Sequence, residues 1–230
     1  MALAIPLGIL LGVIAALNRN RWIDQVLRVA SLGGMSTPQF WLALVALYVF
    51  FYKLSWVPGS GRLDAIVLPP PHTTGLVTLD ALLAGQFDVF RNAVLHLILP
   101  ACVLAAFNTG LFTRFTRSAV LEVLENDYVR TARAKGLPEQ TVVFRHVLRA
   151  ASPPVMTVVG LAFGNVITGT VLVENIFSWP GIGQYSYRSA TSLDLPAIVG
   201  VMLFVGLVYI FVNMFVDILY GVIDPRVRVA

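Results

Sequence analysis

Charged residues are scarce in this chain of 230 residues. Asp, Glu, Lys and Arg make up 12% of the sequence, hydrophobic residues make up 57%, and the mean hydropathy is +0.81. A soluble domain carries about 25% charged residues, so an ordinary soluble protein is excluded and an integral membrane protein is predicted. The length accommodates several spanning helices of about 20 residues with their loops, but no further soluble domain of normal size.

Cysteine, histidine and lysine are also rare, and each shortage excludes a class of site. The single cysteine, Cys102, lies in an apolar run, so it forms no intramolecular disulfide and is interpreted as a packing residue. The three histidines are dispersed without ligand spacing, so we expect no metal site and no cofactor. Neither Lys53 nor Lys135 belongs to a phosphate-binding Gly-x-x-x-x-Gly-Lys-Ser/Thr motif, and no nucleophile and base stand out for an intramembrane enzyme.

Five apolar runs predict an all-α, polytopic membrane protein with about five transmembrane helices. They cover residues 2–17, 38–54, 93–112, 154–173 and 197–222. The first run has only about 16 residues, which is short for a hydrocarbon core about 30 Å thick. A signal peptide is less favoured for this run, because its cations, Arg19 and Arg21, follow the apolar stretch instead of preceding it.

The positive charges are distributed unevenly between the segments that separate these runs. Segments 18–37, 113–153 and 224–230, taken as loops on one side, contain three, seven and two Arg or Lys, which is 12 of the 16 in the chain. The positive-inside rule places these segments in the cytoplasm. We therefore expect an odd number of spans and a cytoplasmic C-terminus. The net charge of +4 reflects this orientation and does not indicate binding to nucleic acid.

The cationic loop at 118–153 is predicted to form two helices that join at Gly136. Apolar residues at helical spacing predict a first helix from Ser118 to Lys135, and Gly136 followed by Pro138 predicts a sharp turn into a second. Val143, Phe144, Val147 and Leu148 are expected on one face of that helix, and Pro153 with Pro154 is expected to stop it. The alternative is a basic amphipathic loop that rests on anionic lipid headgroups.

The same loop resembles the cytoplasmic loop of ABC importer permeases that depend on a binding protein. The stretch Asp-Tyr-Val-Arg-Thr-Ala-Arg-Ala-Lys-Gly-Leu, residues 127–137, is similar to the form found in permeases for dipeptides, oligopeptides, glutathione and nickel complexes. Aligned on Gly136, the Glu-Ala-Ala positions of the general family pattern are Arg130, Thr131 and Ala132, so two of the three differ from it. The stretch Val-Glu-Asn-Ile-Phe-Ser-Trp-Pro-Gly-Ile-Gly, residues 173–183, also resembles the segment before the final span of that family.

The resemblance implies a type I ABC importer permease fold, with residues 1–230 as a single permease domain and 118–153 as its coupling loop. It implies a second permease subunit, two cytoplasmic ATP-binding subunits and an extracytoplasmic solute-binding protein, in a bacterial or archaeal plasma membrane. ATP hydrolysis would occur on the partners, so this chain is not expected to be an enzyme. Family members usually begin with an extra span, so an N-terminally truncated form is expected. The residues expected to couple to the ATPase are Arg130, Thr131, Ala132, Arg133, Lys135, Gly136, Leu137, Glu139 and Arg145.

Peptides are the expected cargo, with nickel complexes, glutathione or other small solutes as the alternatives. Asn165 and Thr168, three residues apart, and Glu174 at the end of the same run are candidates for the translocation path. Polar contacts used for helix packing are an equally open interpretation of these residues. An ion-coupled secondary transporter is less favoured, because ionisable residues are scarce within the apolar runs.

Overall fold

The computed structural model describes residues 1–223, except for the side chains at 165, 167–169, 217 and 219–223. This part of the chain is helical and contains no strand, which confirms the all-α prediction. The helices are α1 (Ala4–Leu17), α2 (Trp22–Ser36), α3 (Gln39–Ala46), α4 (Val77–Leu83), α5 (Phe87–Leu124), α6 (Asp127–Ala134), α7 (Glu139–Thr141), α8 (Leu148–Ile176), α9 (Ile182–Thr191) and α10 (Leu195–Ile223). Two π-helical segments, Leu47–Lys53 after α3 and Val142–Val147 between α7 and α8, complete the order.

Each of the five apolar runs lies on helical structure. Within the described residues, three helices are long and apolar enough to cross a bilayer: Phe87–Leu124, Glu139–Gly164 and Leu195–Val216. The run at 38–54 belongs to a bent pair, Trp22–Ser36 with Gln39–Lys53, whose halves meet at 101° and count as a fourth span if taken together. Helix α1, which carries the first run, is apolar but shorter than a full span.

The prediction of a loop over residues 18–37 is wrong, because Trp22–Ser36 is a helix. Its exposed apolar residues Trp22, Val26 and Val29 follow helical spacing, which the many polar residues of the segment obscure in the sequence. The helix ends at Ser36 because Pro38 disfavours helical backbone at the residue before it. Pro38 itself is extended, with ψ of 130°, and α3 begins directly after it.

The described residues form two compact units. The first comprises Met1–Ser36, Ala105–Val166 and the chain from Phe204 onward, and the second comprises Thr37–Leu104 and Ile167–Leu203.

In the first unit, α1 and α5 approach closely through glycine. A Cβ atom on Gly12 would lie 2.6 Å from the Cβ atom of Thr116 and 2.8 Å from the carbonyl oxygen of Thr113. A Cβ atom on Gly8, one turn earlier, would clash with the Cβ atom of Phe112. Spacing of small residues four apart is typical of membrane helices that pack backbone to backbone. Glycine at these positions therefore lets α1 lie directly against the helix that leads to the cationic loop.

In the second unit, α3, α5 and α8 share an apolar core, and the segment after Lys53 is tied to it. The Gly61 N–H donates to the carbonyl oxygen of Phe177 at 2.8 Å, and the Arg62 guanidinium donates to the carbonyl oxygen of Pro180. Asp64 exchanges hydrogen bonds with Asn92 at the start of α5. The buried core consists of Ala43, Ala46, Leu99, Val103, Val173 and Phe177.

Helix α4 is fixed by a buried carboxylate. Asp80 accepts from the hydroxyl and the N–H of Thr74, both at 2.7 Å, and from the N–H of Gly75 at 3.1 Å. Burial raises the pKa of Asp80, but these hydrogen bonds outweigh it and hold the pKa below its ordinary value of 3.8. Because the folded-state pKa is lowered, this contribution to stability is present above that ordinary value and is lost as the pH falls through the lowered one.

Candidate coupling site

The cationic segment from α6 to the end of the second π-helical segment forms a bent structure, which we call the elbow (residues 127–147). The predicted continuous helix from Ser118 to Lys135 is wrong, because α5 ends at Leu124 and α6 begins at Asp127. Asn126, between them, is extended, with ψ of 145°. The elbow is therefore separated from α5 by a break in the helix.

The predicted turn at Gly136 is present. Gly136 has a φ of +76°, the left-handed conformation that only glycine adopts without strain. Its N–H donates to the carbonyl oxygen of Arg133 at 2.9 Å, and the Leu137 N–H donates to that of Ala132 at 3.4 Å. These two bonds constitute a Schellman motif, which satisfies carbonyl groups that the end of a helix would leave unpaired.

An ion pair closes the turn from outside. The Arg133 guanidinium binds Glu139 through Nη2 to Oε1 at 2.6 Å and through Nε to Oε2 at 3.1 Å. This bidentate contact raises the pKa of Arg133 above its usual range, first by the hydrogen bond and then by the charge of Glu139. The sequence predicted Pro138 as the first residue of the second helix, but Pro138 is extended, with ψ of 139°, and α7 begins one position later at Glu139. The Arg133 and Glu139 side chains are 41% and 57% exposed, so the ion pair adds at most about 1 kcal/mol to a turn of four residues between α6 and α7.

The inner face of the elbow packs against α5 and α8. Val129 and Ala132 from α6, with Val142 and Val147 from the π-helical segment, are at most 7% exposed. They share one apolar core with Ala119, Val120, Val123, Ala151 and Val155. Full burial of a valine side chain contributes about 1.5–3 kcal/mol, so the elbow is held firmly on the two long helices.

The outer face carries most of the predicted coupling residues. Arg130, Thr131, Arg133, Lys135, Gly136, Leu137, Glu139 and Arg145 are exposed, whereas Ala132 is buried. Within the described residues, Lys135 and Arg145 form no ion pair, in contrast to Arg133. Phe144 was expected on the same face as Val143 and Val147, which are buried, but it is 72% exposed because the π-helical turn shifts the register after Thr141. The outer face is thus cationic with an exposed aromatic ring.

The prediction that Pro153 and Pro154 stop the second helix is wrong, because α8 runs through both. Each proline lacks an N–H, so the carbonyl oxygen four residues earlier loses its usual donor. The Ser152 hydroxyl donates to the carbonyl oxygen of Arg149 at 2.8 Å and replaces the bond that Pro153 cannot make. The elbow therefore continues directly into a long, apolar helix.

Of the translocation candidates, only Glu174 has a described side chain, since those of Asn165 and Thr168 lie outside the described residues. Its Oε2 accepts from the N–H of Gln184 at 2.8 Å, in the first turn of α9. A Cβ atom on Gly181 would lie 2.5 Å from the same oxygen. A carboxylate at a helix N-terminus satisfies a free N–H and interacts favourably with the helix dipole. Glu174 therefore caps α9.

Comparison with known proteins decides the family. The profile of the family described as binding-protein-dependent transport system inner membrane component matches residues 8–229. The chain belongs to this family. It is therefore an inner membrane transport component with several membrane-spanning helices, and neither a secondary transporter nor an intramembrane enzyme is favoured.

The alignments of this permease with individual relatives extend over almost the whole chain. It is 47% identical over 227 residues to the probable D,D-dipeptide transport system permease protein of Escherichia coli strain K12, covering 99% of this chain and 67% of the relative. It is 47% identical over 228 residues to a di/tripeptide transport system permease protein of Pseudomonas aeruginosa, and 42% identical over 228 residues to a dipeptide transport system permease protein of Alkalihalophilus pseudofirmus. In both cases the match covers 99% of this chain and 68% of the relative. The chain thus spans about two thirds of the length of these relatives.

The sequence did not predict the buried ion pair that connects α2 to α5 in this permease. Asp24 of α2 is fully buried and forms two hydrogen bonds with Arg117 of α5, at 2.6 and 2.8 Å. Arg117 was counted only as a cytoplasmic cation, and 93 residues separate the partners. The only sign of this ion pair in the sequence is that Asp24 is an acidic residue among the arginines of segment 18–37, where the apolar residues have helical spacing.

The cap on α9 makes a testable prediction about Glu174 of the permease. Glu174→Ala removes the acceptor of the Gln184 N–H and should destabilise the helix by about 1 kcal/mol, whereas Glu174→Gln keeps an oxygen acceptor and should lose less. Thermal unfolding and limited proteolysis at α9 are measured on the purified assembly. Stability should decrease in the order wild type, Glu174→Gln, Glu174→Ala. If Glu174→Ala leaves α9 as resistant as wild type but abolishes transport, the residue acts in the translocation path and not as a cap.

Proposed function

We propose that this chain is the transmembrane permease subunit of an ATP-driven, binding-protein-dependent importer of peptides. The observation that carries the proposal is the elbow, which is capped at Gly136, clamped by Arg133 and Glu139 and packed on two long helices. A rigid element of this kind transmits a push at its outer face to the helices behind it. The family membership and the peptide permeases among the relatives support the cargo.

The proposed assembly contains a second permease subunit, two cytoplasmic ATP-binding subunits and an extracytoplasmic solute-binding protein. In this arrangement residues 1–230 act as one permease domain, and 118–153 act as its coupling loop. The uneven distribution of cations supports a cytoplasmic loop and a cytoplasmic C-terminus. ATP is hydrolysed on the partner subunits.

The outer face of the elbow is the proposed contact with an ATP-binding subunit. Lys135 and Arg145 supply charges that are not neutralised by a neighbour within the described residues, and Phe144 supplies an exposed aromatic anchor. Arg133 and Glu139 neutralise each other, so their main contribution is to fix the turn. ATP binding shifts the permease between inward and outward access only if this contact differs between the two states of the ATPase.

Asn165 and Thr168 remain proposed residues of the translocation path. Glu174, at the end of the same helix, contributes through its bond to α9 and so positions the segment after Trp179. Cargo selection is expected to rest mainly on the binding protein and on the cavity shared with the second permease subunit.

Uptake by reconstituted vesicles tests this function. The complete assembly is placed in vesicles with ATP inside and with a radiolabelled dipeptide and the binding protein outside. We expect uptake that requires both ATP and the binding protein, and that an excess of unlabelled dipeptide suppresses. Uptake driven by an ion gradient without the ATP-binding subunits would contradict the proposal. Suppression by a nickel complex or glutathione, but not by dipeptide, would reassign the cargo.

A further inference from the structure

A cationic cavity lies between α2 and α5 in the first unit. It has a volume of about 290 Å³, and three arginines, Arg28, Arg114 and Arg117, contribute to its lining. Thr113 and Ser118 add hydroxyl groups from α5. None of these five residues was assigned to coupling or to the translocation path. The cavity therefore needs an explanation of its own.

The charges around the cavity are not balanced by the protein. Arg117 binds the buried Asp24 with two hydrogen bonds, so this guanidinium is neutralised. Neither the Arg28 nor the Arg114 guanidinium forms an ion pair or a hydrogen bond within the residues that the structure describes. Three arginines and one aspartate leave two positive charges around the cavity. Such a site attracts an anion, and phosphate oxygens match the planar, forked geometry of arginine.

We propose that this cavity binds the phosphate group of an anionic phospholipid from the cytoplasmic leaflet. Ala15 and Leu32 provide an apolar wall beside the arginines, and Leu32 is 49% exposed. Earlier on α2, Val26 and Val29 are 55% and 70% exposed, and exposed apolar side chains of this kind mark surfaces that contact a membrane. A soluble anion has no apolar part that could contact such a wall. A lipid can place its phosphate at the arginines and its acyl chains along the apolar surface.

The position of the cavity agrees with this occupant. Both lining segments, 18–37 and 113–153, belong to the side that the cation distribution assigns to the cytoplasm, so the inference depends on the proposed orientation. The cytoplasmic leaflet is rich in anionic lipids, and basic sites between transmembrane helices bind their headgroups. A bound lipid joins α2 to α5 about two to three turns before α5 ends at Leu124, on the side of the elbow.

Lipid retention by the complete assembly tests the inference. Wild type and two double variants are purified and reconstituted into nanodiscs that contain phosphatidylcholine with or without phosphatidylglycerol. The first variant, Arg28→Gln with Arg114→Gln, removes the two unneutralised charges of the cavity. The second, Arg21→Gln with Arg149→Gln, removes two exposed cations of the same side that do not line it. Bound lipids are counted by mass spectrometry, and thermal unfolding is measured in parallel.

We expect wild type and the control variant to retain one more phosphatidylglycerol per chain than the cavity variant. Phosphatidylglycerol should also raise the melting temperature of wild type and control by about 3 °C or more, and should not raise that of the cavity variant. Where the double cavity variant does not assemble, Arg114→Gln alone should lose at least half of the rise.

Four results would overturn the inference. Equal loss of lipid in the control variant would indicate unspecific attraction to surface charge. The same rise in melting temperature with glycerol phosphate or inorganic phosphate alone would identify a soluble anion as the occupant. Equal retention of phosphatidylcholine, or an unchanged rise in Arg114→Gln, would exclude recognition of an anionic headgroup. Because no arm measures uptake, failure here leaves the proposed importer function untouched, and failure of uptake leaves the lipid result standing.

Discussion

Replacement of Gly136 by proline should lower ATP-dependent peptide uptake about tenfold or more while the permease still inserts and assembles. Proline fixes φ near −65°, whereas Gly136 has a φ of +76°, so the turn cannot keep its shape. Proline also removes the N–H that donates to the carbonyl oxygen of Arg133. Even a loss of about 1.4 kcal/mol in the coupled geometry corresponds to a factor of ten. Gly136 lies between two candidate spans, the first of which ends at Leu124 and the second of which begins at Glu139, so insertion should be preserved.

Two further substitutions at Gly136 serve as matched controls. A Cβ atom at this position meets nothing within 4 Å, so alanine and asparagine differ from glycine in backbone preference and not in available space. Left-handed backbone costs an ordinary residue about 1–2 kcal/mol and is tolerated better by asparagine. We therefore expect uptake to decrease in the order Gly, Asn, Ala, Pro.

Three measurements separate coupling from assembly in this series: vesicle uptake, ATP hydrolysis, and recovery of the ATP-binding subunits with the purified permease. The expected pattern for Gly136→Pro is retained subunits, continued ATP hydrolysis and lost uptake. Wild-type uptake by this variant would refute a coupling role for the turn. If Gly136→Asn loses as much uptake as Gly136→Pro, the cause is not the backbone conformation.

Local sequence was sufficient to predict the turn but not the helices around it. The conformation at Gly136 depends on the residue itself and on bonds to its immediate neighbours, so it could be read from the sequence. The passage of α8 through Pro153 and Pro154 depends on a hydroxyl bond from Ser152 and on packing against the rest of the unit. Phe144 lies on a different face from the predicted one because a π-helical turn shifts the register, and the spacing of apolar residues does not reveal such a turn.

The candidate site was predictable as a segment, but the partners of its charges were not. The coupling residues were identified as one stretch, 130–145, and the structure keeps them together in the elbow. The sequence could not tell that Arg133 is neutralised by Glu139 while Lys135 and Arg145 are not. Pairing of charges depends on side-chain geometry across a turn, which spacing alone does not define. This difference identifies the two cations that are better candidates for contact with a partner.

Asp24→Ala, which breaks the buried ion pair between α2 and α5, should lower the free energy of unfolding by about 3 kcal/mol. Asp24 is fully buried, and besides Arg117 it accepts from the Asn20 N–H at 3.0 Å. Removal of one partner from a buried ion pair leaves the other charge uncompensated, which costs about 3–5 kcal/mol. The Arg117 side chain is 19% exposed, so partial solvation places the expected value at the lower end.

The exposed ion pair between Arg19 and Glu125 provides the matched control for Asp24. Its atoms are also 2.6 Å apart, but the side chains are 54% and 64% exposed, so Glu125→Ala should cost less than about 1 kcal/mol. The double variant Asp24→Ala with Arg117→Met removes both buried charges and should recover much of the stability that Asp24→Ala loses. Melting of the purified assembly in detergent gives the comparison. Equal loss from Glu125→Ala and Asp24→Ala, or no recovery in the double variant, would mean that the buried pair does not hold α2 on α5.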